Sequence, residues 1–130
     1  SADQIPSEVF DCVVLTQTLQ FIYDVRAALA TLRRILKPGG VLLATFPGIS
    51  QTPRRHSEDT WHWGVTRLSA QRLFEEAFTG TAIAVETHGN VLASVAFLHG
   101  LAVEELRRDE LDYHEPDYQT LIAVRAVKPR

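Results

Sequence analysis

The chain has 130 residues, 45% of them hydrophobic and 22% charged, with a formal net charge of −3. That length suits a single domain with a real core, and the charge argues against a nucleic-acid partner or an anionic membrane surface. No apolar stretch approaches the roughly 20 residues that a membrane span needs.

Taken in chain order, Phe10 to Thr16 ("FDCVVLT") is a continuous apolar run after one acidic residue. A strand wet on one face would alternate, so this run reads as a strand buried on both faces of a parallel sheet. Asp24 is a good N-cap, and Val25, Ala28, Leu29, Leu32, Ile35 and Leu36 recur at helical spacing. Arg33, Arg34 and Lys37 complement the dipole at the helix end, where Gly39 or Gly40 is expected to supply a left-handed stop. Val41 to Phe46 ("VLLATF") is a second buried strand. Strand, helix, short turn and strand make a βαβ unit, parallel with a right-handed crossover.

Residues 49–67 have no period and are rich in polar and turn-forming residues. A loop of that length suggests a functional lid. Ser69 is expected to cap a helix running to about Phe78, which Thr79-Gly80 ends. Thr81 to Thr87 reads as a strand. Asn90 opens "VLASVAFLHGLA", an apolar segment that reads as a buried helix broken or bent at Gly100. "VEELRRDELD" continues as a charged helix, and Tyr118 to Val127 is the last strand. The expected fold class is α/β, in one domain over residues 1–130.

In an open α/β sheet, ligands sit beyond the carboxyl ends of the strands. Thr16, Gln17 and Thr18 after the first strand, and Phe46, Pro47 and Gly48 after the second, therefore stand at the mouth of any site. The five histidines, at 56, 62, 88, 99 and 114, include no HExxH and no i,i+4 pair, so no metal site is expected. Cys12 has no second cysteine to pair with, and it reads as a buried, inert thiol. With "SADQIPSEVF" showing no basic-then-apolar pattern, the expectation is a cytoplasmic chain.

The continuous stretch "FDCVVLTQTLQFIYDVRAALATLRRILKPGGVLLATFP" resembles the second half of class I S-adenosylmethionine-dependent methyltransferases of the type-11 kind. "KPGG" alone is a weak signal; at fixed distance from the "FD" strand and the following apolar strand it is a strong one. The resemblance implies a Rossmann-like methyltransferase sheet, mostly parallel with an antiparallel last strand. It implies S-adenosylmethionine as cofactor, a methyl-transfer reaction, and a small-molecule or glycan-like acceptor. Thr16, Gln17 and Thr18 match the edge that lines the methionine part of the cofactor; the bland alternative is a polar turn capping a strand. Within the expected lid, Trp61 and Trp63, with Arg67 at its end, are candidates to wall a substrate, with His62 or His56 as weak candidates for a proton acceptor. The bland alternative there is that the tryptophans staple the loop to the core.

The family's glycine-rich cofactor loop and ribose-binding carboxylate have no counterpart among the glycines at 39, 40, 48, 64, 80, 89 and 100. The expectation is thus a C-terminal fragment of a longer parent, inactive alone and binding the cofactor weakly or not at all. The strand Phe10–Thr16, deprived of its neighbour, is expected to pair with a second copy in a homodimer. A non-catalytic module that dimerises through this edge is the competing reading.

Overall fold

The computed structural model describes residues 4–52 and 61–130. Its elements run β1 (Phe10–Thr16), α1 (Val25–Ile35), β2 (Leu36–Pro47), α2 (Arg67–Ala77), β3 (Ala84–His88), α3 (Val91–His99), α4 (Arg108–Asp112) and β4 (Leu121–Val127). Short 3₁₀ turns at Leu19–Phe21 and Val103–Glu105 punctuate the chain. The four strands form one sheet in the order β1-β2-β4-β3. β1 and β2 are parallel, and β4 lies antiparallel between β2 and β3. The α/β sheet with an antiparallel last strand is thus as expected.

Asp24 caps α1 by accepting the Ala27 N–H at 2.9 Å. The other end corrects the expectation. α1 stops at Ile35 and Leu36 is already extended, so neither Gly39 nor Gly40 is the helix stop. Pro38-Gly39-Gly40 instead lie inside β2, where the β1 register jumps from Phe10↔Leu36 to Cys12↔Val41. Gly39, at φ 80°, donates to the Lys128 carbonyl, while the Lys128 N–H donates to Gly40. A side chain at Gly40 would press the Phe10 carbonyl. The glycines therefore let β2 bend between β1 and the end of β4. At the same place Lys37 Nζ reaches the Asp11 carboxylate at 2.9 Å, joining the "FD" and "KPGG" halves of the motif. The pair is exposed, so it marks register more than it adds stability.

Strand register sorts the side chains onto two faces. Leu42, Ala44, Phe46, Val85, Ile122, Val124 and Ala126 are buried beneath α1 and α2, with Leu29, Ala70, Phe74 and Phe78 packed in the same core. Phe74 stands edge-on to Phe46 and parallel to Phe78, with centroids 6.1 and 6.3 Å apart. The opposite face is open: Val14 is 65% exposed and its register partner Leu43 is 39% exposed. The expectation that β1 is buried on both faces is therefore corrected, and with it that of a buried Cys12, whose thiol is exposed.

Other expectations differ: β3 runs Ala84–His88 rather than Thr81 to Thr87, and β4 starts at Leu121 rather than Tyr118. α2 is capped by Thr66 rather than Ser69, which sits at the third helical position and completes a reciprocal capping box. α3 ends at Gly100 in the left-handed region, where a break was expected. It is not the buried helix its letters suggest: only Ser94 and Ala96 are buried, while Val91, Leu92, Val95, Phe97 and Leu98 stand out. The small residues make the contact, with Ser94 Oγ 2.6 Å from Thr120 Oγ1. The charged segment is no continuous helix, because the Glu105 and Glu110 carboxylates cap two separate short starts.

Candidate functional site

The carboxyl ends of β1 and β2 open onto a cavity of about 450 Å³. Its floor is the turn after β1. Gln17 adopts φ 49°, left-handed for a residue with a side chain, and its N–H donates to the Thr45 carbonyl at 3.1 Å. Thr18 Oγ1 donates to the Thr16 carbonyl at 2.9 Å. A non-glycine residue held in this region stores strain that the surrounding bonds must hold, and such residues concentrate at functional sites. Pro47 and Ile49 continue the wall from the end of β2, and Thr120 and Leu121 close it at the start of β4. Gly48 makes that closure feasible, since a Cβ there would lie 1.8 Å from the Gln119 carbonyl oxygen.

The described end of the segment 49–67 is tied to the 3₁₀ turn after β1. The His62 N–H donates to the Gln20 carbonyl at 2.9 Å. Trp63 Nε1 donates to the Ile22 and Tyr23 carbonyls at 3.0 and 3.2 Å, and Trp61 Nε1 to the Trp63 carbonyl at 3.1 Å. Trp61 stands edge-on to Phe21 with centroids 5.2 Å apart, and both rings line the cavity.

The expected site residues are thus only partly brought together. Gln17 and Trp61 line the cavity. Thr16 and Thr18 shape the turn beneath it. Trp63 faces a separate cavity of about 370 Å³ between the 3₁₀ turn, α1 and α2. The His62 ring packs edge-on against Tyr23, and the Arg67 N–H is held by the Gln119 side chain at 2.9 Å. His56 lies outside the described residues. Gln20, Phe21 and Phe97 also line the cavity, and none stood out in the sequence. A glutamine inside the apolar turn "TLQFI" was the available signal for Gln20.

Among the described residues, shifted titrations lie elsewhere, at the exposed start of α4. A hydrogen bond to Asp109 raises the Arg107 guanidinium, and the same bond lowers the Asp109 carboxyl. Among the described residues no group of three or more His, Cys, Asp or Glu could hold a metal ion. No described helix is long and apolar enough to cross a membrane.

Comparison with known proteins fits this geometry. Residues 1–44 match the model of the methyltransferase domain family, a segment that contains β1, the turn after it, α1 and β2 as far as Ala44. Solved structures match nearly the whole chain. The chain shares its fold with part of several solved methyltransferases. Haemonchus contortus phosphoethanolamine N-methyltransferase 2, solved with phosphomonomethylethanolamine and S-adenosylhomocysteine, aligns with 98% of the chain at TM-score 0.61 and 18% identity. A possible histamine N-methyltransferase from Thermotoga maritima aligns with 98% at TM-score 0.62 and 19% identity. An S-adenosylmethionine-dependent methyltransferase from Mesorhizobium loti aligns with 98% at TM-score 0.63 and 16% identity. The chain spans 35%, 61% and 67% of these three proteins, respectively. No curated protein matches it in sequence.

Proposed function

We propose that the chain is the acceptor-side part of an S-adenosylmethionine-dependent methyltransferase. In this reading Thr16, Gln17 and Thr18 meet the methionine end of the cofactor, and a small-molecule acceptor occupies the adjoining cavity. The observation that carries it is the strained Gln17 turn at the carboxyl end of β1, inside the segment that matches the methyltransferase domain family. Methyl transfer forms a bond from an acceptor lone pair to the methyl carbon as the carbon–sulfur bond breaks. S-adenosylhomocysteine leaves, and the acceptor's proton passes to solvent or to a base. The main requirement is in-line positioning, which a shaped cavity beside the cofactor edge supplies. His62, whose ring packs on Tyr23 outside the cavity wall, is not the base in this reading. The largely apolar cavity wall favours a small molecule over a glycan-like acceptor.

These 130 residues contain no glycine-rich phosphate or cofactor turn. The reading therefore includes weak cofactor binding by this chain alone and activity only alongside a glycine-rich half. A reducing, cytoplasmic setting fits the single, exposed thiol of Cys12. Titration with S-adenosylhomocysteine, followed by amide ¹H–¹⁵N spectra, tests both parts. Millimolar binding with shifts centred on Thr16 to Thr18 is expected. Shifts that avoid this turn would defeat the cofactor assignment, and low-micromolar affinity would show that no further half is required.

One observation favours the second reading, a module that dimerises through β1. Among the described residues, β1 pairs with β2 on one side only, and Val14 projects from it into solvent. An apolar strand edge of this kind is a template for a second chain.

A further inference from the structure

Two enclosed side-chain atoms among the described residues have no hydrogen-bond partner, Gln20 Oε1 and Arg33 Nε. Their surroundings differ. Gln20 is 1% exposed, so its amide is closed off. Arg33 is half-buried, and only the Nε of its guanidinium is enclosed without a partner. It lines a cavity of about 530 Å³ between α1 and α2.

Helical spacing builds that cavity. Arg26, Ala30, Arg33 and Arg34 fall on one stripe of α1, facing Leu73, Glu76 and Ala77 on one stripe of α2. Lys128, just past β4, completes the wall. Four cationic side chains thus stand around an apolar lining with one carboxylate among them. Three of the cations are engaged. Arg26 Nε binds Glu76 at 3.1 Å, Lys128 Nζ binds Glu8 at 3.1 Å, and Arg34 Nη1 donates to the Ile5 carbonyl at 2.8 Å. Arg33 takes part in no hydrogen bond or ion pair of the described residues. A guanidinium drawn partly out of water loses hydration, and without an acceptor nothing replaces it. Its planar fork matches a carboxylate, two N–H donors to two oxygens.

We propose that this cavity binds a small monocarboxylate with an apolar body. The carboxylate takes the Nη donors of Arg33, and the body lies along Ala30, Leu73 and Ala77. One unmatched positive charge suits one negative charge, and a cavity near 530 Å³ has the size of a small-ligand site. No residue of this wall lines the 450 Å³ cavity at the carboxyl ends of β1 and β2. Lys128 instead bonds through its N–H to the Gly40 carbonyl, near the start of β2. The site is therefore separate from the proposed acceptor cavity and does not depend on the methyl-transfer reading.

Sodium hexanoate, 1-hexanol and sodium acetate are titrated into the intact chain at constant pH and ionic strength, with the Arg33 Nε–H as reporter in ¹H–¹⁵N spectra. Hexanoate is expected to shift that signal and to bind about 10-fold more tightly than hexanol, which lacks the charge, or acetate, which lacks the body. Arg33→Met keeps the aliphatic stem and removes the charge, so it should bind hexanoate no better than hexanol. Arg72→Met removes an exposed arginine of α2 outside this wall and should leave the preference intact. Absent hexanoate binding, equal affinities for hexanoate and hexanol, or an unmoved Arg33 Nε–H would each overturn the proposal. So would a preference that survives in Arg33→Met or vanishes in Arg72→Met. The comparison of the three probes on the wild-type chain stands even if Arg33→Met fails to fold.

Discussion

The two faces of the sheet carry side chains of similar character and meet opposite surroundings. On one face Val13, Leu42 and Ala126 share a row, as do Leu15, Ala44, Val124 and Val85. Leu42, Ala44, Val85, Val124 and Ala126 are buried, and Val13 and Leu15 pack against them. On the other face the rows are Val14, Leu43, Arg125 and Ala84, then Thr16, Thr45, Ala123 and Glu86. These line an open, shallow hollow of about 360 Å³ that no helix of the described residues lines. In β1 and β2 the letters barely distinguish the two faces. Arg125 and Glu86, on β4 and β3, are the charged exceptions. The β1–β2 part of the open face is therefore the more apolar, and the charges of that face stand on β4 and β3.

The strongest way to break this contrast is truncation on each face in turn. Leu42→Ala should cost about 2–5 kcal/mol, whereas Leu43→Ala next to it should stay within about 0.5 kcal/mol in a monomer. Denaturant midpoints measure both, and equal losses would mean that the second face is also covered in solution. Gly48→Ala comes next, because its Cβ would collide with the Gln119 carbonyl where β2 and β4 close. A cost of about 1–3 kcal/mol is expected from this overpacking, and thermal unfolding reads it. That joint matters to the comparison, since a one-residue slip would exchange the two faces. Asp24→Ala removes the cap of α1, a helix packed on β2, and should cost about 1 kcal/mol. Amide hydrogen exchange should then rise in the first turn of α1 before it rises in β2.

The smallest effect on stability is the most informative about association. Val14→Lys should change monomer stability by no more than about 0.5 kcal/mol, yet abolish self-association if β1 pairs with a second copy. Sedimentation equilibrium decides this. A wild-type chain that stays monomeric at high micromolar concentration would defeat the dimer.

Much of the fold was legible because its signals are local. Asp24 caps α1 through its own side chain, Gly100 ends α3 through its own φ, and the parallel βαβ unit follows from the spacing of two apolar runs around one amphipathic helix. The boundaries that were misread depend on distant partners. Gly39 and Gly40 look like a helix stop, but Lys128, far along the chain, draws them into β2. The apolar α3 looks buried, but its small residues rather than its large ones find the sheet end. Ser69 looks like a cap until Thr66 completes the pair.

The site divides along the same line. Placing Thr16, Gln17 and Thr18 at the mouth needed only the rule that open sheets bind beyond their carboxyl ends. For Gln20 the sequence held only the signal of a glutamine in an apolar turn, because an unbonded oxygen is a property of everything packed around it. The sequence by itself determined the elements, their order, and the edge of the sheet where a ligand can sit, since periodicity and capping act within a few residues. Only the tertiary structure decided which face is covered, which rings wall the cavity, and which buried amide lacks a partner. Burial and hydrogen-bond satisfaction are sums over neighbours that the chain brings together only when it folds.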